Sequence, residues 1–210
     1  MILHGYWRSG TSYRTRIALN LKGLSYEQVG VDLRLGQQKE AAFTSLNPQG
    51  LVPALITDDG EVLSQSPAIL EWLEEAYPEP ALLPSDPVAR ARVRSMAAII
   101  GCDIHPLNNL RVLKAIKAMG ADETATQDWI SQWIGAGFEA LEQMVVLHGR
   151  GWCYGDAPTL ADCYLVPQIY SARRFGVDLS AYPALVAIER AAGDHPAFRS
   201  AHPDRQPDAD

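Results

Sequence analysis

A proline-rich segment is the feature that most constrains how this chain can fold. Residues 77–87 hold four prolines in eleven positions. Proline fixes φ and has no N–H to donate, so such a segment suits neither helix nor strand and is expected to be a stiff linker. Strand-like patterns occur before the segment and only helical periodicity follows it. We therefore predict an α/β domain at residues 1–80 and an all-helical domain at residues 88–210.

The part before the linker has the pattern of alternating strands and helices. We predict strands at residues 1–6 and 26–31, on either side of a helix that begins near Ser12 and ends at Lys22-Gly23. A hairpin at residues 51–56 and 61–63 follows, and a second long helix starts with Ser66 as N-cap and Pro67 at the first helical position. The predicted order is β-α-β-β-β-α.

The part after the linker shows helical periodicity at residues 88–104, 124–148, 160–174 and 184–192. Thr159 and Asp162 have capping-box spacing, so we interpret them as a folding device and not as a site. Residues 202–208 look like an extended tail.

Composition and charge exclude several classes of protein. With 210 residues, of which 47% are hydrophobic, the chain can bury a sizeable core. A net charge of −7 argues against nucleic acid as a partner. No apolar run is long enough to span a membrane, and the first residues do not resemble a signal peptide, so we expect a soluble, cytoplasmic protein.

Cysteine and histidine spacing predicts no metal site and no disulfide framework. The cysteines are widely separated, and the lone histidines have no ligand spacing around them; these residues are Cys102, Cys153, Cys163, His4, His148 and His195. We interpret the cysteines as small buried hydrophobes.

Three short segments could bind an anionic peptide. The N-terminal end of the first helix carries three hydroxyl residues, Ser9, Thr11 and Ser12. The free N–H groups at a helix N-terminus stabilise a bound thiolate or carboxylate. Pro53 starts a strand, where a proline either marks a sheet edge or takes the cis form. We predict a cis Val52-Pro53 bond, which would leave the backbone of Val52 open to pair with an added strand. Ser66, after Gln65, could hold a carboxylate at the second helix; for the serines, simple helix capping is the alternative.

Together these features resemble a family. The predicted order is that of a thioredoxin-like domain, and a helical domain after a proline-rich linker resembles the cytosolic glutathione transferase fold. Within that fold the whole chain resembles the zeta class, the maleylacetoacetate and maleylpyruvate isomerases. The resemblance rests on the segments at residues 7–14, 17–23, 47–53, 65–66, 157–162 and 202–208.

One position departs from the zeta pattern. Zeta enzymes usually have Ser-Ser-Cys-Ser in the first loop, whereas this chain has Ser9-Gly10-Thr11-Ser12, so Thr11 stands in place of the cysteine. That form, with the segments at residues 102–109 and 171–175, is more similar to the maleylpyruvate isomerase branch. Any mechanism must then use the thiol of glutathione itself.

The resemblance implies a role for each matching residue. Ser9, with Thr11 beside it, would hold the glutathione thiolate. The remaining glutathione-binding positions would be Gln38, Val52, Gln65, Ser66, His105, Asn109 and Arg111. The last three belong to the helical domain. They could alternatively be ordinary polar residues at a helix kink near Pro106. The resemblance also implies a homodimer.

The substrate of such an isomerase is a dicarboxylic keto acid, so cations are needed where its carboxylates bind. Arginine suits this because its planar guanidinium binds a carboxylate with two hydrogen bonds. Arg8, next to the first loop, and Arg174 are the best candidates, followed by Arg111, whereas Arg173 could be a solvated neighbour.

We therefore expect glutathione-dependent cis-trans isomerisation of maleylpyruvate or maleylacetoacetate in aromatic catabolism. Two alternatives stay open: a transferase that consumes glutathione on small electrophilic acids or peroxides, and a non-catalytic glutathione transferase-like interaction module.

Overall fold

The computed structural model describes residues 1–209, which form two compact units. The first contains Met1–Ala81 together with the segment from Gly193 onward, and the second is Leu82–Ala192. The C-terminal segment thus groups with the strand-containing part of the chain. Within residues 1–209, no helix is both long and apolar enough to cross a membrane.

The first unit is built on a four-stranded mixed sheet with strand order β2-β1-β3-β4. The strands are β1 Ile2–Gly5, β2 Glu27–Gly30, β3 Ala54–Ile56 and β4 Val62–Ser64. β1 pairs parallel with β2 and antiparallel with β3, and β3 pairs antiparallel with β4. This arrangement, with α1 Gly10–Leu21 and α3 Ser66–Ala76, confirms the predicted thioredoxin-like fold.

The predicted helix starts in this unit need two corrections. α1 begins at Gly10, two residues before the predicted start, because Ser9 is its N-cap. Ser66 is not the N-cap of α3 but its first residue, and Gln65 is the N-cap, with φ at 66°. The predicted stop after α1 is confirmed by Gly23, whose φ of 68° favours glycine.

A short helix between β2 and β3 was missed by the sequence analysis. α2 covers Ala41–Thr44 and follows a 3₁₀ turn at Gln37–Lys39. Four residues are too few for helical periodicity to show in the sequence. Phe43 of α2 is buried with Val31 and Ala54, and Val52 packs against this cluster.

The second unit is all helical, as predicted. Its helices are α4 Pro87–Ala98, α5 Leu110–Ala118, α6 Glu123–His148, α7 Leu160–Arg174 and most of α8 Pro183–Asp194, with a π-helical turn at Ile99–Ile104 after α4. α5 was not predicted; of its nine residues, Leu113 is buried.

The capping box before α7 is confirmed. The Asp162 carboxylate accepts hydrogen bonds from the N–H and the hydroxyl of Thr159, both at 2.7 Å, and from the Cys153 N–H at 2.8 Å. Burial raises the pKa of Asp162, and these hydrogen bonds oppose the shift. Cys153 and Cys163 are buried as expected, whereas Cys102 is exposed.

The C-terminal stretch is not the extended tail that the sequence suggested. α9 Pro196–Ala201 packs on α1 and is followed by a 3₁₀ turn at Pro203–Arg205, in which Pro203 is buried. His202 begins this turn by accepting a hydrogen bond from the Asp204 N–H at 3.3 Å. Short, proline-started turns give little periodicity, so the sequence did not reveal them.

Candidate active site

The loop between β1 and α1 places hydroxyl groups at the N-terminus of a twelve-residue helix. Ser9 Oγ accepts a hydrogen bond from the Ser12 N–H at 3.3 Å, which makes Ser9 the cap of α1. Ser12 Oγ in turn accepts from the Tyr6 N–H at 3.2 Å. The N-terminal end of α1 carries a partial positive charge, which favours a bound anion.

A chain of hydrogen bonds joins three of the predicted site residues. Thr11 Oγ1 donates to the Val52 carbonyl at 2.9 Å, and Ser9 Oγ lies 2.8 Å from Thr11 Oγ1. Because the Thr11 proton is used on Val52, Ser9 donates to Thr11 in this arrangement. The structure thus brings Ser9, Thr11 and Val52 together.

The backbone of Val52 is less open than the sequence analysis expected. The Val52-Pro53 bond is cis, as predicted. The Val52 carbonyl, however, already accepts the Thr11 hydroxyl. A carbonyl oxygen has two lone pairs, so one acceptor position remains for an added strand.

The start of α3 carries two signs of a binding position. Ser66 is 2% exposed, and its Oγ has no hydrogen-bond partner. Buried hydroxyl groups nearly always have a partner, so this one is available to a ligand. Gln65 has φ at 66°, an uncommon value for a residue other than glycine, and such residues cluster at functional sites.

Gln38 lies against the loop that leads to Val52. A Cβ on Gly50 would come within 2.7 Å of the Gln38 carbonyl oxygen, and φ of Gly50 is 60°, so only glycine fits there. Gln38 Oε1 is buried and has no hydrogen-bond partner. Gln38 is therefore a second buried polar group available to a ligand.

Gln49 is a candidate that the sequence analysis did not single out. Its Oε1 accepts a short hydrogen bond from Gln65 Nε2. The only sequence signal was its place in the Asn47-Pro48-Gln49-Gly50 turn. The Asn47 side chain fixes this turn by donating to the Leu51 carbonyl at 2.6 Å and accepting from the Gln49 N–H at 3.2 Å.

The second unit holds the other predicted glutathione contacts. His105 follows the π-helical turn, and Asn109 caps α5 by accepting from the Arg111 N–H at 3.1 Å. The neighbouring Asn108, which was not predicted, is only partly exposed and has both amide atoms buried without a partner. Trp129 fixes this loop by donating to the Leu107 carbonyl at 2.9 Å.

Two of the three candidate arginines stack on aromatic rings. The Arg8 guanidinium lies 5.2 Å from the centroid of the Trp7 ring, and that of Arg174 lies 4.4 Å from the Phe175 ring. Arg173 instead forms a bidentate ion pair with Glu189, in which Nε donates to Oε1 at 2.8 Å and Nη2 donates to Oε2 at 2.6 Å. Arg173 is thus engaged on the surface, as the sequence analysis suggested.

A groove of the first unit contains none of the predicted residues. It measures about 640 Å³ and lies between α1 and α9, with Asn20, His195, Arg199 and Arg205 in its wall. Asn20 Nδ2 already donates to the Ala197 carbonyl and to Ser200 Oγ, both at 3.0 Å.

Known proteins share this arrangement of elements. The family model for the glutathione S-transferase N-terminal domain matches residues 8–76. A maleylacetoacetate isomerase from Pseudomonas aeruginosa is 54% identical over 99% of this chain and 98% of its own. A zeta-class glutathione S-transferase from Euphorbia esula is 44% identical over 99% of this chain and 92% of its own.

The chain belongs to the zeta-class glutathione transferase family.

Two solved structures of zeta-type proteins match the whole chain. A maleylpyruvate isomerase, described as a bacterial zeta-class glutathione S-transferase in its holo form, is 55% identical with a TM-score of 0.97 over 100% of both chains. A maleylacetoacetate isomerase from Anaeromyxobacter dehalogenans with glutathione bound in its active site is 47% identical with a TM-score of 0.91, over 100% of this chain and 97% of its own. The family resemblance seen in the sequence is thereby confirmed.

Proposed function

We propose that this enzyme catalyses the glutathione-dependent cis-trans isomerisation of a maleyl keto acid. Maleylpyruvate, converted to fumarylpyruvate, is the first candidate substrate, and maleylacetoacetate, converted to fumarylacetoacetate, is the second. The observation that carries the proposal is end-to-end similarity to isomerases of both kinds, at 54% and 55% identity.

The residues of the first unit fit glutathione. Ser66 and Gln38 each present a buried polar atom without a partner, as expected for groups that meet a ligand. We assign Gln65 and Ser66 to the γ-glutamyl end, Val52 to the backbone of the central cysteine and Gln38 to the glycine end. His105, Asn109 and Arg111 are assigned to glutathione from the second unit.

When bound, glutathione supplies a thiolate that adds to the conjugated double bond and leaves again after rotation about the resulting single bond. A free thiol has a pKa near 8.5, so the protein must stabilise the thiolate. The N–H groups at the start of α1 serve this purpose, and so does Ser9 once its single proton turns from Thr11 to the sulfur. Thr11 orients Ser9 through their 2.8 Å contact.

The arginines are assigned to the substrate. Arg8 and Arg174 bind its carboxylates and stabilise the charge that develops on the acyl oxygens during addition. Arg8 is adjacent to Ser9 in the chain, so it is the candidate at the reacting end. Arg111 is the third cation available for this purpose.

The deciding experiment follows the absorbance of each maleyl acid in the presence of trace glutathione. An isomerase regenerates the thiolate, so conversion should exceed one equivalent of glutathione many times over. Turnover that stops when glutathione is consumed would instead identify a transferase. A chain that binds glutathione but converts neither acid nor other electrophiles would be an interaction module. Comparing kcat/KM for the two acids identifies the preferred substrate.

We also propose that the enzyme works as a homodimer in the cytoplasm. The homodimer is an expectation from the family, and the lack of a membrane-spanning helix within residues 1–209 is compatible with the location. Light scattering tests the oligomer: a mass near 23.0 kDa would indicate a monomer and contradict this part of the proposal.

A further inference from the structure

The C-terminal segment contacts the backbone of the loop that carries Arg8 and Ser9. Arg16 of α1 is fully buried, and its Nη2 donates to the Trp7 carbonyl at 2.9 Å. Its Nε donates to the Ala201 carbonyl at the end of α9, at 3.0 Å. One buried cation thus connects the loop to the C-terminal segment.

Asp208 makes the second connection. Its Oδ2 accepts a hydrogen bond from the Trp7 N–H at 2.9 Å, although the two residues are 201 positions apart in the sequence. Its Oδ1 accepts from Gln28 Nε2 at 2.8 Å, which fixes the carboxylate beside β2. The Asp208 side chain also lies directly on Gly30, where an added Cβ would be 3.1 Å from the Asp208 Cβ.

We propose that Asp208 is a positioning residue for the thiolate-binding loop. The Asp208 carboxylate and the Arg16 guanidinium hold the N–H and the carbonyl of Trp7, the residue immediately before Arg8 and Ser9. This inference rests on the proposed function, because it assigns a purpose to the loop of that same site.

The physical reason is that the loop is short. Only Tyr6 to Ser9 connect the end of β1 to the start of α1. Rotation of the peptide groups on either side of Trp7 would move Arg8 and the Ser9 hydroxyl together. Hydrogen bonds to charged groups are about twice as strong as those between neutral groups, so a carboxylate and a guanidinium suppress this rotation well. A displacement of about 1 Å at a reacting group can cost about a hundredfold in rate.

The test compares three variants. Asp208→Ala removes both hydrogen bonds. Asp208→Asn keeps an amide oxygen for the Trp7 N–H. Its NH₂ group can donate to Gln28 Oε1, which is buried without a partner, once the Gln28 amide flips to turn that oxygen toward residue 208. Asp204→Ala is the matched control, since Asp204 lies in the same segment but is exposed, and its carboxylate lies 3.7 Å from His202.

We expect Asp208→Ala to lower kcat for isomerisation by about ten- to a hundredfold and to raise the pKa of the bound glutathione thiol, read from its thiolate absorbance. Asp208→Asn should return kcat and the thiol pKa most of the way to their wild-type values, and Asp204→Ala should change neither kcat nor the thiol pKa. Asp208→Ala with wild-type kcat and thiol pKa, at a temperature where it is folded, would overturn the proposal.

A measurement without glutathione separates this proposal from the proposed function. Amide hydrogen exchange at Trp7, followed by NMR in the free wild-type protein, should be strongly protected. Asp208→Ala should accelerate it, whereas Asp204→Ala should not. Exchange of the wild-type Trp7 amide at the rate of an unstructured peptide would overturn the positioning role even if the chain is an isomerase. If the Trp7 amide is protected but the chain isomerises neither acid, the contact with Asp208 stands and the proposed function is wrong.

Discussion

Ser9→Ala separates two roles of one hydroxyl group. In the structure Ser9 Oγ caps α1 by accepting from the Ser12 N–H, and it lies within hydrogen-bond distance of Thr11 Oγ1. We propose that, when glutathione is bound, the Ser9 proton turns from Thr11 to the thiolate. Loss of the cap lowers stability, and loss of the donor lowers turnover, so the two effects have different sizes and different readouts.

The cost of losing the cap follows from its geometry. Replacing a serine cap by alanine costs about 0.5–2 kcal/mol. The Ser9–Ser12 contact is 3.3 Å, beyond the usual range, so we expect the lower part of that range, about 0.5–1 kcal/mol. For a chain of 210 residues this lowers Tm by about 1–4 °C. Loss of one donor to a reacting anion lowers turnover by about 10- to 1000-fold, equivalent to about 1.4–4 kcal/mol.

The assay measures kcat at saturating glutathione, the pKa of the bound thiol and Tm. Asp86→Ala is the matched control, because Asp86 caps α4 by accepting from the Ala89 N–H at 2.8 Å and has no assigned role in catalysis. Because its cap bond is shorter, the control should lose at least as much stability as Ser9→Ala and keep full turnover. If Ser9→Ala also keeps full turnover and an unchanged thiol pKa, the reasoning is refuted, and the thiolate is held by Thr11 or by the N–H groups of α1.

Two further predictions concern binding. Ser66→Ala should weaken glutathione binding, measured by calorimetry, by about ten- to a hundredfold. Its Tm should stay equal or rise, because the buried Ser66 Oγ has no partner in the protein to lose. A fall in Tm with unchanged glutathione affinity would show that Ser66 has a structural role instead. Arg8→Ala and Arg174→Ala should each lower kcat/KM for the maleyl acid by about ten- to a hundredfold with nearly unchanged glutathione affinity. Arg173→Ala, which breaks the surface pair with Glu189, is the control. If the Arg8 or Arg174 variant lost glutathione affinity as much as it lost kcat/KM, the assignment of these arginines to the substrate would be contradicted.

Several parts of the fold could be predicted because their signals are local. The strand and helix pattern before the proline-rich segment, the stop at Gly23 and the Thr159–Asp162 capping box each depend on residues close together in the chain. The cis bond before Pro53 was also predicted from its place at the start of a strand. Helix starts and the residue before Pro53 pointed to Ser9, Thr11, Val52, Gln65 and Ser66, whereas Gln38 came from the family pattern. The roles of all six residues stay predictions.

The sequence by itself determined the fold class and the family, and it singled out the loop that we propose binds the thiolate, since each is encoded in short contiguous patterns. Only the tertiary structure decided what these residues contact. Local spacing made Ser66 look like a cap, whereas the fold buries its hydroxyl without a partner. Nothing near Trp7 in the sequence points to Asp208, because the bond between them depends on a C-terminal segment that folds back onto the first strands. Contacts between residues about 200 positions apart leave no periodicity or spacing to detect, so only the packed chain reveals them.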